Sequence, residues 1–198
     1  MKKGLWIAMG VVLVIVLFVS QLVGYRNELV RLEEQVNTAW AQVQNQYQRR
    51  YDLIPNLVET VKGFATQERE VLTQVTEARA RAGGVMNVSS DILNDPQKFA
   101  QFQQVQDQLG SALQRLLVVV ERYPELKSNQ NFLTLQAQLE GTENRIAVER
   151  RRFNEAVQAY NSYLRRFPQN LAASLFGFKP KAYFQAGAEA QQAPKVKF

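Results

Sequence analysis

Apolar residues recur every three or four positions through Val36, Trp40, Val43, Tyr47, Tyr51, Ile54, Val58, Val61 and Phe64 or Ala65. That spacing sets them on one face of a helix. The beat runs straight through Pro55, which removes a backbone donor and presses on the carbonyl of Tyr51, four residues earlier. Position 54 is Ile, not an N-capping residue, so the pattern favours a bent long helix over a stop and a fresh start. The bend should carry Arg49, Arg50, Asp52 and Asn56 on or beside the buried stripe. The Tyr51 carbonyl then needs a side chain or a water as its donor.

Three further helices follow from the same periodicity. After a turn near residues 63–67, Val71 or Leu72, Val75, Ala78 and Ala82 mark a shorter helix to about Arg81. The stretch GGVMNVSSDILNDP, residues 83–96, has no period and reads as a loop, with Gly83 and Gly84 ending one helix. Asp95 and Pro96 supply an N-cap acceptor and an N1 proline for the next. That third helix carries Phe99, Phe102, Val105, Leu109, Leu113, Leu116 or Leu117 and Val120, and ends at Tyr123-Pro124. Ser128 is placed to cap the fourth, which runs through Phe132, Leu135, Leu139, Ile146, Phe153, Val157, Tyr160, Leu164 and Phe167 to Pro168. The first and fourth helices are similar in length and can lie antiparallel. The expected fold is all-α: an N-terminal transmembrane helix, then an antiparallel bundle of three to four long helices.

The transmembrane expectation rests on residues Leu5 to Val23, an uncharged run that spans ~28 Å as a helix, close to a bilayer's hydrocarbon thickness. Trp6 and Tyr25 suit its two interfaces. A cleaved signal peptide is the rival reading, but the run exceeds an ordinary signal core and no A-x-A-like site follows. From Asn27 to Ile54 no Gly or Pro interrupts the pattern, so anchor and first bundle helix are expected to form one rod. Lys2 and Lys3 on the short side are matched by Arg26 and Arg31 on the other. The compact basic start favours a cytoplasmic N-terminus and an exported bundle. The chain thus divides into a basic start (1–4), an anchor (5–24), a bundle (25–168), a short apolar segment (169–184) and a flexible tail (185–198). That apolar segment contains LAASLFGF beside Lys179 and Lys181; it either covers the bundle base or meets lipid headgroups or a partner.

Composition narrows the chemistry. Within 198 residues there is no cysteine and no histidine, which removes disulfides, thiol nucleophiles, Cys/His zinc sites and histidine bases. The net charge of +6 includes Lys2 and Lys3 and is otherwise dispersed among acids, so nucleic acid is not an expected partner.

The run VNTAWAQVQNQYQRRYDLIPNLVETVKGF, with EARA after it, resembles the signature of the bacterial LemA family. So does the stretch from YPELKSNQNF to NSYLRRFP, followed by FGF and YF near the C-terminus. The likeness covers Asn27 to about Phe184. It implies an N-terminal membrane anchor, an antiparallel bundle and no established enzymatic activity.

Polar residues that interrupt the stripes are the candidate functional positions: Asn37, Arg49, Arg50, Asp52 and Asn56 on the first helix, and Glu143, Asn144, Arg145 and Arg150 on the fourth. A di-metal carboxylate site in such a bundle needs Glu-x-x-His pairs, and no histidine exists; no cofactor is expected. The plain reading is a half-buried network, such as Glu143 with Arg49 or Arg50, that fixes helix register at little net gain. The run ERRRF, residues 149–153, reads as a solvated face with one turn of stripe. Two function classes follow. One is a non-catalytic membrane-anchored scaffold for an envelope protein partner, with self-association as a further option. The other is a module that binds a small or lipidic ligand between helices.

Overall fold

A computed structural model describes residues 2–65, 67–85 and 90–185, without the side chains of Lys2, Lys3, Leu5 and Ala8. The sequon Asn87-Val88-Ser89 and all of the expected tail beyond Gln185 lie outside the described residues. Helix α1 spans Lys2–Phe64 without interruption, so apolar run and bundle helix are one rod ~95 Å long. Helix α2 (Arg69–Gly84) and helix α3 (Pro96–Val120) follow, then a single turn α4 (Pro124–Lys127), the long α5 (Gln130–Arg165) and the short α6 (Gln169–Phe176).

Helix starts are set as the sequence suggests, with one shift. The Asp95 carboxylate accepts from the N–H groups of Gln97 (3.0 Å) and Lys98 (3.1 Å), with Pro96 at N1. For α5 the cap is Asn129, which accepts from Phe132 N–H at 3.0 Å. Ser128, the expected cap, instead donates its hydroxyl to the Glu125 carbonyl and closes α4. The non-periodic stretch also holds structure: Ser90–Asn94 is a 3₁₀ turn that buries Ile92 and Leu93. Two apolar residues are too few to show a period, so a sequence pattern misses such a turn.

Helices α1 and α5 are the antiparallel spine. Trp40 meets Phe153 and Arg50 meets Glu143, so the distal end of one helix faces the start of the other. The buried positions on α1 are Leu29, Leu32, Val36, Trp40, Val43, Tyr47, Arg50, Ile54, Leu57 and Val61, with Ala65 just past its end. From Trp40 to Val61 they alternate in steps of three and four, the heptad seam of paired helices. The stripe read from apolar residues therefore drifts by one place in two positions. Tyr51 and Val58 are half-buried, while Arg50 and Leu57 take the core. A charged residue in the seam is invisible to a count of apolar ones. The core residues Trp40, Ile54, Leu139, Ile146 and Phe153 are all buried, as expected.

The helix continues through Pro55, and the structure supplies the missing donor. Arg79 on α2 donates from Nε to the Tyr51 carbonyl at 3.1 Å, and its guanidinium lies 3.8 Å from the centre of the Tyr51 ring. Gly83, one turn on, lies against the same ring: a Cβ there would stand 2.9 Å from the Tyr51 hydroxyl oxygen and push the end of that ring aside. Thus the proline defect on α1 becomes the docking point for α2. Arg79→Ala should cost ~1–2 kcal/mol in the natural chain, for a charge-assisted bond to a carbonyl that has lost its helical donor. In a Pro55→Ala background the restored amide satisfies that carbonyl, and the same Arg79→Ala change should cost less. Equal costs in both backgrounds, by urea unfolding, would detach Arg79 from the proline.

Candidate functional site

The apolar core is not continuous. One cluster lies toward the apolar run and includes Trp40, Phe99, Phe102, Phe153 and Phe184; the other is distal and includes Ile54, Leu109, Leu116, Phe132 and Leu139. Between them lies a polar layer contributed by one turn each of α1 and α3 and two turns of α5. Arg50 is at its centre, its side chain 3% exposed. Its Nη1 donates to both Glu143 carboxylate oxygens at 3.1 and 3.4 Å, and its Nη2 to the Gln106 carbonyl (3.1 Å) and side-chain oxygen (2.6 Å). Beside it, Arg150 donates from Nε to the Tyr47 hydroxyl at 2.6 Å and from Nη2 to Asp107 at 2.8 Å. Both guanidiniums also lie against the Tyr47 ring, at 5.1 and 5.6 Å from its centre. Two cations and two carboxylates are thus balanced within a layer that three helices must share. Such a layer specifies register more than it stabilises, since desolvation offsets the ionic gain.

Electrostatics follow the geometry. Burial pushes the Tyr47 phenol up from its ordinary value, against the pull of Arg150 and Arg50. Burial opposes charge on Arg150, but Tyr47 and Asp107 outweigh it and hold the guanidinium above its ordinary value. Tyr160, also buried, is raised by burial first and by Glu33 second. A raised phenol pKa stabilises the fold fully below the unfolded value near ~10, and that contribution is lost as pH rises through the folded value. In an alkaline titration, Tyr47 and Tyr160 should therefore ionise only as helix signal is lost. Ionisation of all seven tyrosines with the helix signal intact would contradict this.

The polar positions proposed from sequence are not all in the layer. Arg50, Glu143 and Arg150 are brought together there. Arg49, Asp52 and Asn56 are exposed, with Asp52 accepting a hydrogen bond from Gln48 one turn earlier on the same helix. Asn37 is half-buried well before the layer, and Asn144 and Arg145 are exposed. Arg49 and Asp52 therefore do not join the layer: they are exposed on α1, to either side of the buried Arg50. Gln106 and Asp107 on α3 are the layer residues that sequence reasoning passed over. Gln106 is hidden from an apolar count because Val105 fills the step between Phe102 and Leu109, as Tyr51 hides Arg50 on α1.

A second feature adjoins the layer. Residues 178–185 leave α6 as an extended strap laid between α3 and α5. Three side-chain amides grip its backbone in both senses. Asn161 donates to the Lys181 carbonyl and accepts its N–H, each at 2.9 Å. Asn154 does the same to Phe184 at 3.0 and 2.9 Å, and Gln103 to Gln185 at 2.7 and 3.1 Å. The Lys181 ammonium, buried, reaches Glu33 and Asn94, while Phe184 enters the aromatic cluster 4.8 Å from Phe99. Past the strap the cleft stays open as a groove of about 780 Å³, lined by Asp107, Ser111, Gln114, Glu143, Ala147 and the end of the strap among others. Among the described residues, no three carboxylates converge as a metal site.

Comparison with known proteins places this architecture. Two magnetosome proteins are similar over most of the chain: MamQ 2 of Paramagnetospirillum magneticum is 28% identical over 193 residues, covering 88% of this chain and 70% of that protein. MamQ of Magnetospirillum gryphiswaldense is 27% identical over 188 residues, 87% of this chain and 69% of its own length. Protein LemA of Metamycoplasma hominis is 25% identical over 175 residues, 88% of this chain and 75% of its own. None of these names denotes an enzyme. The sequence profile of the LemA family matches residues 39–198, which takes in the heptad seam, the polar layer and the strap. With the long apolar N-terminal helix and the signature around Pro55, that match establishes that the chain belongs to the LemA family.

Proposed function

We infer that this protein is a non-catalytic scaffold of the bacterial cell envelope, held in the plasma membrane by a single N-terminal span. Its bundle offers the groove between α3 and α5 to an extended segment of an envelope protein partner. The observation that carries the reading is the strap. A side-chain amide that donates and accepts at one backbone position mimics the edge of a strand, and such contacts recognise main chain whatever its sequence. Asn161, Asn154 and Gln103 treat residues 181–185 in that way, and the groove beyond them continues the same cleft. Residues 9–23 of α1 are exposed almost throughout and apolar enough to cross a bilayer, which supports the anchor. The compact basic start favours a cytoplasmic N-terminus and an exported bundle. Absence of histidine and cysteine, together with the pairing of each arginine of the layer with a carboxylate, supports a binding role over catalysis.

A second reading is favoured by the size of the groove, which lies in the ~300–1,000 Å³ range of small-molecule sites. Its charged lining and its opening to solvent suit a chain segment better than a lipidic ligand. The test is a photo-crosslinking residue placed at Ser111 or Ala147 of the full chain in its native membrane. Both positions should attach to one short stretch of one partner. A synthetic peptide of that stretch should bind the detergent-solubilised protein, and Ser111→Trp should abolish the binding. A peptide that binds the Ser111→Trp protein equally well would overturn the groove as the docking surface.

A further inference from the structure

The end of the bundle nearest the apolar run carries an unpartnered apolar ridge. Phe167 is 80% exposed, Leu171 53% and Leu175 67%. Leu171 and Leu175, four residues apart, share one face of α6, with Phe167 just before the helix, while Ala172 and Ala173 are buried. This level of the molecule is set by α1. Glu28, Leu32, Tyr163 and Arg166 line one small cleft, so the end of α5 is level with the first turns after the apolar run. Residues 167–176 then lie at the height of Leu22 to Arg26. Consistent with that, Leu22 and Tyr25 are half-buried where their upstream neighbours are exposed, and the Arg26 guanidinium sits 5.7 Å from the Phe176 ring. Arg26, Arg165, Arg166 and Lys179 are exposed around the ridge. The neighbouring acid, Glu28, is already engaged by Arg31 at 2.8 Å.

We propose that Phe167, Leu171 and Leu175 insert into the lipid surface beside the span, with the surrounding cations on anionic headgroups. The proposal rests on the reading of residues 5–23 as a membrane span. An apolar ridge with basic flanks is the composition of a segment lying in a bilayer interface. Two attachments side by side would do what one span cannot, and set the tilt and rotation of the rod. The groove and polar layer would then stand at a fixed height above the membrane. Exposed apolar side chains continuous with a membrane span distinguish this occupant from a soluble partner, because lipid already covers the adjoining turns of α1.

The natural chain has no cysteine, so single-cysteine labels need no background removal. Full-length protein labelled at Val14→Cys, Leu171→Cys, Leu175→Cys or Asn144→Cys is reconstituted into vesicles of phosphatidylcholine and phosphatidylglycerol. Quenching is read with brominated lipid and with an aqueous quencher. Labels at 171 and 175 should lose emission to brominated lipid, at a depth of ~5–10 Å below the headgroup boundary, and resist the aqueous quencher. The label at 144, exposed in mid-bundle, should do the reverse. If 14 is quenched by lipid while 171 and 175 behave like 144, the ridge is not in the membrane and the span reading survives. If 171 and 175 are shielded from water but untouched by brominated lipid, a protein covers the ridge and the proposal falls. If 14 itself is not quenched, the span reading fails and takes this inference with it.

Discussion

Replacing Trp40 with alanine should remove ~3–5 kcal/mol from the stability of the bundle, the range for deleting a large buried aromatic. Trp40 is 2% exposed and stands where the spine, α3 and the strap converge. Its ring centre lies 5.8 Å from Phe99, 5.2 Å from Phe102, 5.6 Å from Phe153 and 6.1 Å from Phe184. A cavity there has walls from three helices and an extended segment, and these cannot all close inward together. Trp40→Phe keeps a ring in the cluster and should cost far less. Urea unfolding followed by far-ultraviolet circular dichroism measures both without relying on the lost indole. A Trp40→Ala protein as stable as the natural one would mean that the strap and not the ring organises this end of the core.

Glu143→Ala should be the most damaging single change in the polar layer. It strands the Arg50 guanidinium, 3% exposed, with only the neutral Gln106 oxygens and the Tyr47 ring as its remaining partners of those identified in the layer. Breaking a fully buried pair costs several kcal/mol; Glu143 is 41% exposed, and solvent screening lowers the expectation to about 2–4 kcal/mol. Arg50→Met removes the charge and fills the same volume, so it should cost less than Glu143→Ala despite losing more hydrogen bonds. In the double variant the loss should return toward that of Arg50→Met alone. If Arg50→Met proves the worse single change, the hydrogen bonds to Gln106 outweigh charge burial, and the layer is a stabilising device after all. Arg50→Lys should not rescue the layer, since an ammonium cannot span Glu143 and two Gln106 oxygens at once.

These two sites differ in how visible they are before folding. Trp40 is apolar and in phase with its neighbours, so periodicity alone marks it as core. Arg50 is in phase too, but a reading that tracks hydrophobic residues steps over it to Tyr51, and from there to Val58. The correct seam needs the partner helix, because only packing against α5 makes a three-four alternation preferable to another sequence of similar period. Pro55 is an intermediate case. Covalent geometry alone requires a donor for the Tyr51 carbonyl, yet that the donor is Arg79 depends on α2 folding back across the defect.

Local physics accounts for the features that can be read along the chain. Apolar periodicity sets the four long helices, the Asp95-Pro96 pair sets the start of α3, the uncharged run of Leu5–Val23 allows a bilayer crossing, and missing side-chain types exclude whole chemistries. Tertiary structure alone decided everything that joins distant segments. It placed Arg50 with Gln106 and Glu143, and left Arg49 and Asp52 outside. It also turned residues 178–185 into a strap held by Asn154, Asn161 and Gln103. The physical reason is that an amide side chain or a buried charge has no period of its own. Its role exists only once another element supplies the matching group, and that group can lie anywhere along the chain.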